Sequence, residues 1–388
     1  MTEYNFDDIR PFADSEVPEA LTALLADPEF LKFRSKLFPK MSDEEFAAMC
    51  RPFRSRNAFK WNVGYEIVSQ VAAQSAFSLD ISGRSRLGED LPFTYISNHR
   101  DIILDAAFLN VCLRNIDRSM CQIAIGDNLL KRPWIRTLVK LLGSFIVKRS
   151  PSVREMIYES NKLSAYIHSC ICEQRESVWI AQREGRAKDA DDRTQTALLK
   201  MLAMSGDGSL LDRFRALNIV PVSFSYEYDP CDFLKARELQ AKRDNPDYSK
   251  SPTEDLLNMS TGLTGYKGRV HITLGEPLNH SLDRVNASAS NKDQLCEIAL
   301  LIDLEIHRRY RLYPGNYVAL DLLEESSVYS KHYSEAEKQK FVNYILGQVE
   351  KIVFEDGHKK DEPFLYQAML KMYANPAKNY LAASTSVD

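Results

Sequence analysis

The chain has 388 residues, 44% of them hydrophobic and 27% charged, with 18 Phe, 18 Tyr and 3 Trp. So many aromatic side chains exclude a disordered chain, and the length suggests two to three structural units. Lys and Arg number 50 against 54 Asp and Glu, a net charge of −4; there is no global polycation to hold nucleic acid, and an anion site has to be a local cluster.

A membrane-spanning helix needs roughly 18 or more consecutive apolar residues. The run 102–113 is broken by Asp105 and Asn110, and the run 138–147 contains Lys140. The segment 1–20 is acidic and lacks a basic start followed by an apolar stretch, so no signal peptide is expected. The cysteines, Cys50, Cys112, Cys121, Cys170, Cys172, Cys231 and Cys296, are odd in number and form no CxxC pair. They read as reduced, mostly buried thiols of a cytoplasmic protein.

Residues 1–85 read as helical throughout: apolar residues recur at three-to-four spacing in 18–38, 42–53 and 58–79. The pattern changes near 91. Strand candidates follow at 93–97, 120–126, 144–149, 177–182, 219–228 and 268–277, with helix-like runs between them at 102–115, 128–143, 153–174 and 196–203. Strands alternating with helices predict an α/β domain over 86–285, with a largely parallel or mixed sheet flanked by helices. From 286 to 388 the chain reads as helical again, ending in a frayed tail, LAASTSVD.

No GxSxG elbow, GxxxxGK[ST] loop, HExxH helix or GxGxxG turn is present. The positive signal is the polar turn after the first core strand, Asn98-His99-Arg100-Asp101, leading to Asp105. Ligands of open α/β sheets bind beyond the carboxyl ends of strands. A histidine there can act as general base, an aspartate can orient its ring, and amides at the helix start can hold an oxyanion or phosphate. The bland alternative is a surface helix cap. Three further features follow in order: Gly143-Ser144-Phe145-Ile146-Val147-Lys148-Arg149, then Arg183-Glu184-Gly185-Arg186, then Val220-Pro221-Val222 ahead of Tyr226 and Glu227. Arg and Lys at strand ends suit a phosphate monoester, although each group alone reads equally as a solvated loop.

In this order the features resemble the four motifs of the glycerol-3-phosphate and 1-acylglycerol-3-phosphate acyltransferase superfamily, with the stretch 220–240 closer to the glycerol-3-phosphate branch. The resemblance covers roughly 85–285 and implies a glycerolphosphate acyltransferase-like fold. It implies acyl transfer from a thioester donor, acyl-CoA or acyl-ACP, to glycerol 3-phosphate in phospholipid biosynthesis, with no metal and no cofactor beyond the co-substrate. His99 would be the general base and Asp105 its orienting partner. Arg100, Lys148, Arg149, Glu184, Gly185 and Arg186 would form the substrate site, with Glu184 as loop organiser. An acyltransferase with a lyso-lipid acceptor, lysophosphatidate or a lysoaminolipid, and a non-catalytic lipid-binding protein are the alternatives.

Two departures from the family pattern stand out. The first motif is His-x5-Asp, one residue long, which puts Asp105 about 140° from His99 if both are helical. Asp101 competes as partner, but it fits better as cap of a helix starting at Ile102. In the third motif Arg186 falls one position early, and Lys188 or Arg193 could compensate. Arg132, Arg136 and Lys140 recur along one face of 130–143 near Trp134. This reads either as a core-facing helix or as a basic amphipathic helix at an anionic lipid surface. With the lipid product it would place the protein in the cytoplasm, peripheral on the inner face of the cell membrane. His168, His271, His280 and His307 read as structural, and His332 and His358 lie in polar surroundings.

Overall fold

The computed structural model describes residues 4–88, 91–149, 152–354 and 359–385; His358 lies outside them. Helices α1 (Val17–Leu25), α2 (Pro28–Leu37), α3 (Asp43–Cys50) and α4 (Arg56–Phe59) lead through a π-helical turn into α5 (Tyr65–Ser75). The α/β layer then runs β1 (Ser78–Ser82), β2 (Thr94–Ser97), α6 (Leu104–Asn115), β3 (Gln122–Gly126), α7 (Pro133–Leu141), β4 (Ser144–Val147) and α8 (Val153–Cys172). It continues through β5 (Val178–Ala181), α9 (Thr196–Leu202), α10 (Leu210–Ala216), β6 (Ile219–Tyr226), α11 (Asp232–Asp244), α12 (Pro252–Thr264) and β7 (Arg269–Leu274). Helices α13 (Asn291–Arg308), α14 (Pro314–Leu323), α15 (Glu335–Glu350) and α16 (Glu362–Thr385) complete the chain.

The strands form one seven-stranded sheet in the order β1-β7-β6-β2-β5-β3-β4, parallel at every pairing except β6 with β7. This is the mixed α/β class expected. β2 is central, with Ser97 opposite Ala181 of β5 and Val222 of β6. Every residue of β2 and β6 is buried, as in central strands covered on both faces. Pro221 sits inside β6 without breaking it. Its carbonyl accepts from Gly275 N on the β7 side, where β7 has already ended, so its missing N–H removes no ladder bond.

One face of the sheet packs Ile96, Ile146 and Ile180 against Ile167 of α8, Leu199 of α9 and Ile302 of α13. The other packs Tyr95, Trp179 and Phe224 against Phe108 of α6 and Val71 of α5. The N-terminal helices and α7 share a separate core around Phe30, Phe46 and Phe59. Another joins α11, α14, α15 and α16 around Phe341, Met369 and Tyr373. The edge strand β4 is covered by the N-terminal segment, where Ile146 N donates to Ile9 O at 2.9 Å.

Two expectations need correction. Residues 78–82 are not helical but form β1, so the sheet takes in residues before the boundary at 85. Helix α5 stops at Ser75, whose hydroxyl turns back to Val71 O, and the strand that follows pairs with β7. Of the tail 381–388, residues 381–385 are not frayed but continue α16 through Pro376 to Thr385, against the shared C-terminal core, and 386–388 lie outside the described residues. Of the two readings of 130–143 the core-facing one holds, since the apolar face of α7 is spent inside the protein. Trp134 lies 6.1 Å from Phe30 and 5.2 Å from Phe33 and donates Nε1 to Glu29 at 3.1 Å. Arg132 pairs with the same glutamate, and Arg136 and Lys140 bond Asp8 O and Asp7 O.

No helix among the described residues is long and apolar enough to cross a membrane. All seven cysteines are free, five of them buried. Because Trp134 is a packing residue, Trp134→Ala should destabilise the protein by about 3 kcal/mol in urea unfolding. An unchanged midpoint would mean that this face is free for lipid.

Candidate functional site

β2 delivers the chain to the carboxyl end of the sheet at Ser97, and the loop 98–103 follows before α6 begins. Asn98 stitches the loop to β6: its Nδ2 donates to Phe224 O at 3.0 Å and its Oδ1 accepts from Phe224 N at 2.8 Å. His99 then projects with Nδ1 2.9 Å from Asp105 Oδ2. Its ring meets Trp179 edge-on at 5.7 Å, and the Trp179 indole donates to Ser97 Oγ at 3.0 Å. Facing a carboxylate, Nδ1 carries the ring proton of the neutral imidazole and Nε2 keeps its lone pair.

Asp105 is completely buried in the first turn of α6. Its Oδ2 also accepts from Arg100 N at 2.6 Å and Asp101 N at 3.0 Å, and its Oδ1 accepts from the Tyr226 hydroxyl at 2.9 Å. The extra residue in His-x5-Asp is therefore absorbed before the helix. His99 lies in the loop, which folds back over the α6 terminus. Asp101 secures the helix start instead, where its Oδ1 accepts from Ile103 N at 2.9 Å and Leu104 N at 2.8 Å. The helix starts at Leu104 rather than Ile102. Burial and the neighbouring Asp105 push the Asp101 carboxyl up. These four loop amides are spent on two carboxylates, so they are not available to an oxyanion or phosphate. Burial, then Asp105, pushes the Tyr226 phenol well above its usual range, which keeps it a donor.

Arg100 points into a buried polar network. Its Nη2 donates to Asp229 Oδ2 at 2.9 Å, while Lys235 Nζ donates to the same oxygen and to Arg100 O. Burial alone would push the Asp229 carboxyl up; Lys235 and Arg100 outweigh it and hold it at about 2. Arg100 Nη1 and both carboxyl oxygens of Asp192 are buried without a hydrogen-bond partner. A small cavity of about 20 Å³ lies against Arg100, Asp229, Tyr310 and Tyr373, room for about one water.

The other expected residues divide. Arg186 is buried, with Nη2 donating to Asn258 Oδ1 of α12 at 3.1 Å and Nη1 unpartnered. Its charge acts on Asp101, so it belongs to the floor of the site. Gly185 takes φ +67°, which lets the third-motif loop turn. Arg149 and Glu184 meet across the ends of β4 and β5 at 3.2 Å, both well exposed. Glu184 N also donates to Gln195 Oε1 at 2.8 Å. Lys148 is not brought to this group: its ammonium binds Asp8 and, at 3.5 Å, Glu159. Lys188 faces Glu238 at 3.2 Å, and Arg193 bonds Asn379 at 2.8 Å.

Tyr226 reaches the site, whereas Glu227 is held in a fork by Arg269. The sequence reading placed Asn98 in the polar turn without a role and missed Asp229, Lys235 and Asn258. Asp229 follows the carboxyl end of β6, so the strand-end rule could have found it. Other histidines are bound elsewhere: His307 Nε2 faces Asp192 O at 3.2 Å, His271 faces Ser82 at 2.9 Å, and His332 stacks on Tyr317. Among the described residues, no group of three or more His, Cys, Asp or Glu could hold a metal.

Residues 78–225, less than half of the chain, match the family model described as Acyltransferase. The matched segment carries His99, Asp105, Arg149 and Arg186. No curated protein matches the chain. Among solved structures, the 1-acyl-sn-glycerophosphate (LPA) acyltransferase PlsC from Thermotoga maritima aligns at 12% identity with a TM-score of 0.36, covering 74% of this chain and 91% of that one.

Asp229→Asn should leave Arg100 and Lys235 without their counter-charge and cost about 3–5 kcal/mol. The native carboxyl lies below its ordinary 3.8, so its contribution is complete above that pH and is lost as pH falls through about 2. The gap between wild type and variant in urea unfolding should be constant from about pH 7 to 5 and close on acidification below about 4. A gap that widens in acid would contradict this.

Proposed function

We propose that this protein is an O-acyltransferase that moves a fatty acyl group from a thioester donor to glycerol 3-phosphate. The observation that carries the reading is the His99–Asp105 pair, with one ring nitrogen tied to a buried carboxylate and the other free at the carboxyl end of the sheet. That is the arrangement a general base for a hydroxyl needs.

Nε2 of His99 takes the proton of the acceptor hydroxyl as its oxygen attacks the thioester carbonyl. The tetrahedral intermediate collapses, the carbon–sulfur bond breaks, and the leaving thiolate takes the proton from the imidazolium. Asp105 holds the ring in one tautomer and balances the positive charge while it lasts. Tyr226, donating to the other oxygen, fixes the carboxylate. No covalent acyl-enzyme and no metal enter the scheme. General-base assistance contributes about 10²- to 10⁴-fold, and placement of the two substrates supplies the rest.

Arg186, with one nitrogen unpartnered, and Arg149 at the rim are the cations for the acceptor phosphate. Glu184 organises Arg149. Arg100 acts from beneath by shaping the loop. Lys148, bound to Asp8 and Glu159, serves the fold more than the phosphate.

The lyso-lipid alternative has one observation in its favour. Val153, Met156, Ile157 and Tyr158 at the start of α8 are all exposed, at the same end of the sheet as His99. With Arg149 and Arg154 nearby, they suit contact with an anionic lipid surface and a peripheral position on the inner face of the cell membrane.

The test is transfer of a labelled long-chain acyl group from coenzyme A or acyl carrier protein to glycerol 3-phosphate, and separately to lysophosphatidate. His99→Gln should lower transfer by at least about 10²-fold while the melting profile stays native. Retention of more than a tenth of the rate in the folded variant would defeat the assignment.

A further inference from the structure

Acyl transfer turns a neutral thioester carbonyl into an oxyanion, and a negative charge developing in a sheltered site needs donors aimed at it. The donors on the catalytic loop and beside it are already used. The four loop amides are spent on Asp105 and Asp101, the Trp179 indole on Ser97 and the Tyr226 hydroxyl on Asp105. The side-chain amide of Asn98 goes to Phe224 O. The start of α6 therefore supplies no oxyanion hole, and the donor has to come from a neighbouring element.

The end of β5 brings one. β5 runs parallel beside β2 with Ala181 abreast of Ser97, and the ladder continues one step further, where Gln182 N donates to Ser97 O at 2.8 Å. Alternate residues of a strand share a face, and neighbouring strands lie about 4.8 Å apart. Trp179, Ala181 and Arg183 thus follow the same side as Tyr95, Ser97 and His99, and the edge-on contact of Trp179 with the His99 ring marks that side. One residue past the last ladder bond, Arg183 emerges abreast of His99. Asp192 gives a separate sign that the two are close. Burial pushes its carboxyl up, and the positive charges that oppose this are those of Arg100, Lys235, His99 and Arg183.

Arg183 also differs in state from the other arginines here. Arg100 is tied to Asp229, Arg149 to Glu184 and Arg186 to Asn258. Arg183 is part-buried and, among the described residues, makes no hydrogen bond and no salt bridge. A guanidinium partly withdrawn from water without a counter-charge is costly, and its planar fork is left for an incoming anion. With Arg149 and Arg186 assigned to the acceptor phosphate, the anion that forms beside the base is the one on the donor carbonyl.

We propose that Arg183 is a catalytic residue that holds the oxyanion of the tetrahedral intermediate. The inference rests on the acyl-transfer reading and adds to it the group that carries the negative charge. As the acceptor oxygen bonds to the carbonyl carbon, the carbonyl π pair moves onto its oxygen and the hydroxyl proton goes to His99 Nε2. The guanidinium donates to the new oxyanion and keeps its own protons. When the pair returns, the carbon–sulfur bond breaks and the thiolate takes the proton from the imidazolium.

The test is the single-turnover rate of acyl transfer, with kcat and both KM values, for wild type, Arg183→Gln and Arg183→Lys. Because Arg183 bonds nothing in the resting protein, both variants should keep the native melting midpoint. Arg183→Gln should lower the single-turnover rate and kcat by at least about 10²-fold, with the donor and acceptor KM within about threefold of wild type. Arg183→Lys keeps the charge but not the fork and should fall between the two. If the glutamine variant does not fold, a loss of at least about fivefold in the lysine variant supports the same conclusion. A folded Arg183→Gln with rates within about threefold of wild type overturns the proposal. A loss confined to the acceptor KM overturns it too, since Arg183 would then be a phosphate contact. Either of these results leaves the acyltransferase reading standing. If wild type acylates lysophosphatidate and not glycerol 3-phosphate, the acceptor assignment falls. The same loss in Arg183→Gln with lysophosphatidate then upholds the inference, because both acceptors pass through the same oxyanion. A wild type that acylates neither sinks the function and this inference with it.

Discussion

The carboxylate of Asp105 is the constraint on which the site is built. A buried carboxylate costs several kcal/mol unless its lone pairs are met. Here four donors meet them: the His99 ring, the amides of Arg100 and Asp101, and the Tyr226 hydroxyl. The donors are delivered by separate features of the chain. The amides require the loop after β2 to fold back over the start of α6. Tyr226 requires β6 to run parallel beside β2 and to end at the same edge. The ring of His99, supported by Trp179 of β5, is the member left part-exposed. One anion thus orders a loop, a helix terminus and the neighbouring strand, and the free face of the imidazole is what remains for chemistry.

A second layer of polar groups holds this arrangement from below. Arg100, Asp229 and Lys235 form a buried triad under the loop. Tyr373 of α16 accepts from Asp229 N at 3.0 Å and donates to Asp232 at 2.7 Å. The C-terminal helices therefore do more than pack: they fix the strand end from which Tyr226 and Asp229 project. Sites held within a rigid second set of contacts keep their geometry through the reaction. On the other flank α12 presses Gly262 against Asp101 and Asn258 against Arg186. This ties the catalytic loop to α12.

The sequence made the sheet legible where strands are central, because β2, β5 and β6 are short runs rich in β-branched and aromatic residues with polar turns at their ends. It misled at β1, an edge strand whose half-buried SLDIS pattern continues the helical period of α5 without a break. It left two readings open at α7, where basic spacing is visible in sequence but the partners of Trp134 are not. Phe30 and Phe33 lie about a hundred residues away along the chain. The pairing of His99 with Asp105 could be chosen over Asp101 from cap chemistry alone. The position of Lys148 could not be foreseen, because Asp8, its partner, comes from the N-terminal segment. The Asp229 triad was hidden for the same reason: Arg100 comes from the loop after β2, while Asp229 and Lys235 lie beyond β6.

The most direct measurement of the central claim is the tautomer of His99, read by nitrogen-15 NMR at a pH where the imidazole is neutral. The account predicts the proton on Nδ1 and a bare Nε2, with the Nδ1 signal shifted when Asp105 is replaced by Asn. A ring protonated on Nε2 in the native protein would leave no base facing the acceptor and would contradict it.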